Sequence, residues 1–259
     1  MPRKSHSVLG ASIDALSWED AIRQIVAWGA ARESRYVCIC NVHSVITTTR
    51  DPEFRNVIND ADMSTPDGAP IAWALRRFGF ASQERVNGPD LMWKYLGEAE
   101  RLGQAVFFYG STGQTLSKLR ERIARRFPRL HVSGMHAPPF RPLSLREDKA
   151  EVEMINRSGA QVVFVGLGCP KQEKWMAAHR DRITAVMIGV GAAFDYHAGT
   201  IKRAPLWWQH NGLEWLYRLG SDPQRLLKRY MVTNTLFIIG FSKQLIAKKI
   251  LKHVTRTES

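Results

Sequence analysis

The chain has 259 residues, 44% of them hydrophobic, with 19 glycines, 12 prolines and a formal net charge of +13. That length and apolar share suffice to bury one substantial core, and the ordinary glycine and proline contents exclude a disordered or fibrous chain. Three cysteines, Cys38, Cys40 and Cys169, exclude a disulfide framework and have no zinc-site spacing, which points to a reducing compartment.

The first ten residues, MPRKSHSVLG, are charged and lack the apolar segment of a signal peptide, so a cytoplasmic location is expected. Strand-like apolar runs then recur at 36–40, 105–109, 130–133, 162–167 and 185–190, separated by stretches of helical period. In the first run Cys38 and Cys40 share one strand face, as small core residues do. A helix is expected from Gly68 to Phe78, closed by Gly79, and another opens at Asp90, after Asn87-Gly88-Pro89, and stops at Gly103. This alternation predicts an α/β fold, with a Rossmann-like, mostly parallel sheet covered by helices on both faces.

Near Thr200 the text becomes rich in Arg, Lys, Trp and Tyr. Residues 200–259 hold 11 Lys and Arg against 3 Asp and Glu, so a catalytic body at 1–200 and a basic, helical C-terminal appendage at 201–259 are expected. The apolar stretch at 230–241 is too short, and too interrupted by Thr233, Asn234 and Thr235, to span a bilayer. Phe237, Phe241 and Leu245 recur at four-residue spacing beside Lys248, Lys249 and Lys252, the pattern of a helix lying on a membrane surface. The same stripe can pack on the body or on a second copy, so a homo-oligomer stays open.

In a parallel sheet, ligands bind at the carboxyl ends of the strands. Four loops follow predicted strands: 41–43, 110–113, 166–173 and 189–195. Gly110 with Gly113, and Gly166 with Gly168, let backbone amides approach an anion at a following helix start. The Walker pattern is absent. The G-x-G-x-x-G fingerprint fails because Lys171 and Phe194 stand where its third glycine would be. Lys171, Gln172 and Glu173 open the helix after Pro170, where a cation and an amide can meet phosphate or sugar hydroxyls; Glu173 serves the helix dipole equally well. Asp67, in Thr65-Pro66-Asp67-Gly68, reads either as a general base or as an N-cap, and Asp195 has the same two readings. Asp60-Ala61-Asp62 matches an acid-x-acid metal pattern that arises often by chance, so no metal is expected. His43, His179 and His197 have no Ser or Cys partner in sequence, and no triad can be drawn.

The order of these motifs resembles the WecG/TagA/CpsF family of bacterial glycosyltransferases over residues 8–230. The resemblance is carried by Asn41, by Ala61-Asp62 with Pro66-Asp67-Gly68, by VNGPD at 86–90 and by FFYG at 107–110. VGLGCPKQE at 165–173, GVGAAFD at 189–195, KRAP at 202–205 and GLEWLYR at 212–218 extend it. The resemblance implies inverting transfer of a sugar from a UDP-sugar to a polyprenyl-diphosphate-linked saccharide, at the inner face of the cytoplasmic membrane, with neither cofactor nor essential metal. It assigns the base to Asp67, an active-site role to Gln172, and contacts to the diphosphates to Arg218, Arg225 and Arg229. Asn41, Asn87, Asp90, Gly110, Gly166, Gly168, Lys171, Glu173, Asp195 and Arg203 fall on its motifs and are the remaining candidates for substrate binding. Ile39 departs from the threonine that many members carry two residues before the first-loop asparagine, which puts a hydroxyl contact to the donor in doubt.

Two other readings compete. A Rossmann-type oxidoreductase would need the missing dinucleotide fingerprint. A nucleic-acid binder is suggested by Trp207, Trp208, Trp215 and Tyr217 interleaved with Lys202, Arg203 and Arg218, but that run is rich in leucine, and a simple binder has no use for the glycine loops. No nucleic-acid partner is therefore expected.

Overall fold

The computed structural model describes residues 3–257, without the side chains of residues 210, 225 and 251–257, so the expected contributions of Arg225 and Lys252 lie outside the described residues. The chain opens with an antiparallel hairpin, β1 (Ser5–Val8) and β2 (Ala11–Asp14). Its two-residue turn places Leu9 at φ 51° and Gly10 at φ 91°, the left-handed backbone that matches hairpin twist. Helix α1 (Trp18–Ala30) follows, capped by Ser17, which accepts from the Asp20 amide.

Six strands build the main sheet: β3 (Arg35–Cys40), β4 (Met63–Pro66), β5 (Val106–Gly110), β6 (Val132–His136), β7 (Val162–Gly166) and β8 (Val186–Gly189). Their order is β4-β3-β8-β7-β5-β6 and every pairing is parallel, as a Rossmann-like fold requires. Helices α2 (Val42–Arg50) and α3 (Pro52–Asn59) link β3 to β4, and α4 (Ala69–Arg77) and α5 (Gly88–Leu102) link β4 to β5. Then come α6 (Gly113–Arg126), α7 (Leu145–Arg157), α8 (Lys171–His179) and α9 (Ala193–Ala198), one after each of β5 to β8.

Alternation along the strands splits the core in two. Tyr36, Cys38 and Cys40 join Tyr109, Val163 and Met187 on one face of the sheet, while Val37 and Ile39 join Phe108, Phe164 and Ile188 on the other. Both faces are covered, which is why β7 and β8 read as continuous apolar runs. Each buried phenylalanine contributes about 1.5–3 kcal/mol by leaving water.

The expected helices around α4 and α5 end where the glycines stand, Gly79 at φ 111° and Gly103 at φ 68°. The strand expected at 130–133 forms instead at Val132–His136, on the sheet edge, where its residues are half-buried and leave a weak apolar signal. Strand β4 carries no apolar run because Ser64 and Thr65 replace it with buried hydroxyls, bonded to the carbonyls of Ile58 and Val86 at 3.1 and 2.9 Å.

Beyond Thr200 the chain forms α10 (Leu206–His210), α11 (Glu214–Ser221) and the long α12 (Pro223–Thr257). The apolar stripe expected to face lipid faces the body instead. Phe237 and Phe241 are buried, their rings stacked at 5.6 Å, and Phe241 also meets Trp73 and Phe78 of the α4 region at 5.3 and 5.4 Å. Leu245 packs on the same cluster. Gln244 accepts from the Leu9 amide at 3.1 Å and donates to the Ser7 carbonyl at 2.8 Å, pinning α12 to the hairpin. The hairpin, α2 and α4 offered this stripe a dry surface, so it found protein first.

Candidate active site

Parallel register sets the site. Cys40 pairs with Pro66, so the first residues past β3 and β4, Asn41 and Asp67, leave the sheet side by side, and the Asp67 amide donates to the Cys40 carbonyl at 2.9 Å. The loops after β7 and β8 bring Gly168 and Gly191 to the same edge. Together with α4, α11 and α12 these segments enclose a cleft of about 890 Å³, a volume suited to a small-molecule substrate.

Asp67 is not a helix cap. Gly68, at φ 85°, holds the cap position of α4, and the Asp67 carboxylate instead accepts from Arg85 Nε at 3.2 Å. Arg85 donates through Nη2 to Glu214 of α11 at 2.5 Å. Burial raises the Asp67 carboxyl above its ordinary value; Arg85 opposes this and Glu214 reinforces it. Asn41 caps α2 by accepting from the Ser44 amide at 3.2 Å, and it also lines the cleft.

Gln172 joins the two glycine loops. Its Oε1 accepts from the amides of Gly168 at 3.2 Å and Gly191 at 3.0 Å, and its Nε2 donates to Glu173 Oε1 at 2.8 Å. The side chain therefore fixes the loops that form one wall of the cleft, and both its polar atoms are engaged. Glu173, 1% exposed, has its carboxyl raised to about 7 by burial, with Oε2 lacking any hydrogen-bond partner among the described residues. Gly189 leaves room for these side chains, since a Cβ there would lie 2.8 Å from the Met176 methyl and 3.0 Å from the Gln172 amide nitrogen and would displace them.

Besides Arg85, the C-terminal helices bring two cations to the cleft. Arg218 of α11 lies over the Tyr196 ring at 5.7 Å, and Arg229 of α12 also reaches the cleft wall. His43 is held neutral, its ring driven below its ordinary value by burial and then by Arg229. His43 Nδ1, Arg229 Nε, the Tyr196 hydroxyl and Glu173 Oε2 are all buried without a hydrogen-bond partner among the described residues, and all four residues line this one cleft. Orphaned buried polar atoms are rare, and their concentration here marks a place built to meet polar ligand atoms.

Other sequence candidates stand apart from the cleft wall. Asn87 caps α5 and bonds Asp90 at 2.7 Å, while Arg203 grips Asp90 at 2.5 and 2.8 Å; the trio clasps the chain beyond Thr200 to the α5 N-terminus. Gly110 and Gly166 serve close strand packing, since a Cβ on Gly110 would lie 2.6 Å from the Gly166 carbonyl oxygen. Asp195 accepts from the hydroxyls of Thr115 at 3.2 Å and Thr200 at 3.1 Å, tying α9 to its surroundings. Lys171 is exposed at the start of α8. At the opposite end of the sheet Asp62, the second acid of the acid-x-acid triplet, is taken by Arg35 and Arg180 at 2.7 and 3.0 Å.

Arg85, Glu214 and Tyr196 were not singled out by their chemistry in the sequence. Arg85 lies between the Gly79 stop of α4 and the Asn87 cap of α5, two signals that mark helix ends and say nothing of an arginine between them, and Glu214 reads as an ordinary first-turn acid. Only the fold brings them to Asp67.

A carboxylate at a strand end, amide-rich glycine loops beside it and arginines delivered from a separate helical segment make, on a Rossmann-like sheet, the cleft of an enzyme able to hold an anionic ligand next to a proton acceptor. The sequence agrees with that class. The family described as "Glycosyl transferase WecG/TagA/CpsF family" matches residues 6–250, and the chain belongs to this family, whose glycosyltransferases act in cell-surface polysaccharide biosynthesis.

Proposed function

We propose that the protein transfers a sugar, with inversion, from a UDP-sugar to a saccharide carried on a polyprenyl diphosphate. The observation that carries this reading is the convergence of Asp67, the Gly168 and Gly191 loops, Arg218 and Arg229 on one cleft. An acceptor hydroxyl is a weak nucleophile at neutral pH, and Asp67, its carboxyl raised by burial, takes the proton as the oxygen attacks the anomeric carbon on the face opposite the leaving group. The departing UDP gains negative charge on its diphosphate. Loop amides and arginine guanidinium groups supply the matching positive field, so the scheme needs no metal. Gln172 acts by holding the two loops in register. The apolar end of the cleft, with Trp73, Phe237 and Ile238, offers the prenyl chain a surface away from water.

The enzyme works on the inner face of the cytoplasmic membrane, held there peripherally through α10 to α12. Among the described residues no helix is long and apolar enough to cross a membrane. Support for a peripheral contact comes from exposed Leu206, Trp207, Met231, Ile246 and Ile250 on these helices, set among lysines.

Incubation with a panel of UDP-sugars and a polyprenyl-diphosphate-linked acceptor, followed by release of UDP, tests the reading. Asp67→Asn is expected to lower kcat at least a hundredfold with little change in donor KM. Undiminished turnover in that variant removes Asp67 from the chemistry.

A further inference from the structure

The Nε and Nη2 protons of an arginine form one edge of its fork, and a single carboxylate normally takes both. At Arg85 that edge is divided: Nε donates to Asp67 Oδ1 at 3.2 Å and Nη2 donates to Glu214 Oε2 at 2.5 Å. Glu214 thus engages the nitrogen through which a second Asp67 oxygen would complete a two-point grip. Among the described residues Asp67 Oδ2 accepts no hydrogen bond. The longer contact falls on Asp67 and the shorter on Glu214, so the guanidinium is drawn toward α11.

We propose that Glu214 is a positioning residue for Asp67: docking of α11 sets its carboxylate on Arg85, splits that cation between two acids and leaves one Asp67 oxygen free for the acceptor hydroxyl. This rests on the reading of Asp67 as the base. Without Glu214, Arg85 closes on both oxygens of Asp67 and holds it as a structural ion pair. Base competence is thereby tied to the seating of the C-terminal helices, which also carry Arg218 into the cleft.

The charged and titratable groups facing Asp67 fix the sign of the effect. Arg85, from the loop before α5, and Arg218, from α11, stabilise the carboxylate, whereas Glu214 destabilises it; Tyr196 of α9, pushed up to about 12 chiefly by burial, is neutral in the working range. Removing the Glu214 charge leaves two cations opposed by none, so Asp67 holds its proton less tightly and becomes a weaker base.

The test compares wild type with Glu214→Gln and Glu214→Ala, each also in an Arg85→Met background, together with Asp67→Asn. Two readouts are taken: the acid limb of the pH profile of kcat/KM, and titration of the 13C-labelled Asp67 carboxyl, assigned by its loss in Asp67→Asn. Glu214→Gln is expected to move both midpoints down by about one pH unit and to lower kcat about three- to tenfold above the limb, with donor KM little changed. In the Arg85→Met background the same substitution should move the midpoint less, because only the direct repulsion between the two carboxylates is then relieved and the guanidinium can no longer close on Asp67. Midpoints that stay at the wild-type value in Glu214→Gln overturn the proposal, as does an equal shift with and without Arg85. Should Asp67→Asn retain turnover, the base assignment fails, and the carboxyl titration still decides separately whether Glu214 governs Asp67.

Discussion

At the scale of single residues, the site owes its form to buried groups that satisfy one another incompletely. Glu173 is the clearest case. Its neighbours are the Gln172 amide and the Cys169 thiol, with Cys38 and Cys40 beneath, and none of these offers it a cation. Burial raises its carboxyl to about 7 in the folded protein, against about 4.5 in the unfolded chain. The folded state therefore binds the proton more tightly, and the stability this provides is complete below pH 4.5 and is lost as pH rises through 7. A shift of that size corresponds to roughly 3 kcal/mol. Urea denaturation between pH 4.5 and 8 should show this fall in wild type and a flatter profile in Glu173→Gln, whose neutral amide has nothing to ionise. Equal slopes in the two proteins would mean that Glu173 is ionised throughout. The same residue shows the limit of reading chemistry from sequence: its place in the first turn of α8 was legible, but its solitude is a property of the β3 and β8 ends packed against it.

Among the elements, α12 decides how the cleft is closed. Phe241 sits between Phe237, Trp73 and Phe78, and Phe237 and Trp73 also line the cleft. Replacing Phe241 with alanine removes a buried ring at the point where α12 meets α4, and a loss of about 3 kcal/mol is expected in chemical denaturation. Because Arg229 rides on the same helix, donor KM should rise as well. A variant with unchanged stability would show that α12 is held elsewhere. Spacing along the sequence had revealed this apolar stripe without revealing its partner, since residues four apart define a helix face and say nothing of what covers it. The parallel sheet, α4, α5 and the loop positions were legible because each rests on local signals: apolar runs, N-caps such as Asn87, and C-terminal glycines. Strand β4 was hidden because Ser64 and Thr65 meet their hydrogen-bonding needs inside the protein. Asp67 was found by its turn, but its partners Arg85 and Glu214 lie 18 and 147 residues further along the chain and meet it only through the fold.

For the whole molecule, the outer side of α12 remains to be accounted for. The helix is apolar on two sides: Phe237 and Phe241 turn inward, while Met231, Ile246 and Ile250 are 64%, 57% and 59% exposed, with Lys249 exposed among them. An isolated exposed leucine or isoleucine needs no explanation, but a row of them along one helix beside exposed Leu206 and Trp207 is a surface that water does not favour. A lipid interface suits it, because apolar side chains can enter the acyl region while lysines remain among anionic head groups. The substrate in the proposed reaction is itself anchored in lipid, so this contact would bring the cleft to the diphosphate rather than wait for it in solution. The variant Met231→Ser, Ile246→Ser, Ile250→Ser should bind anionic phosphatidylglycerol vesicles at least about tenfold more weakly, given about 0.8 kcal/mol for each methylene withdrawn from the bilayer. Its turnover of a short-chain, water-soluble acceptor should match wild type, since these three side chains lie outside the cleft wall. Raising salt should weaken wild-type binding only in part, because screening acts on the lysines and leaves the apolar contribution intact. Vesicle binding that survives the triple substitution, or vanishes with salt alone, would leave a purely electrostatic contact; a change of oligomeric state in the variant would instead assign this face to a second copy of the chain.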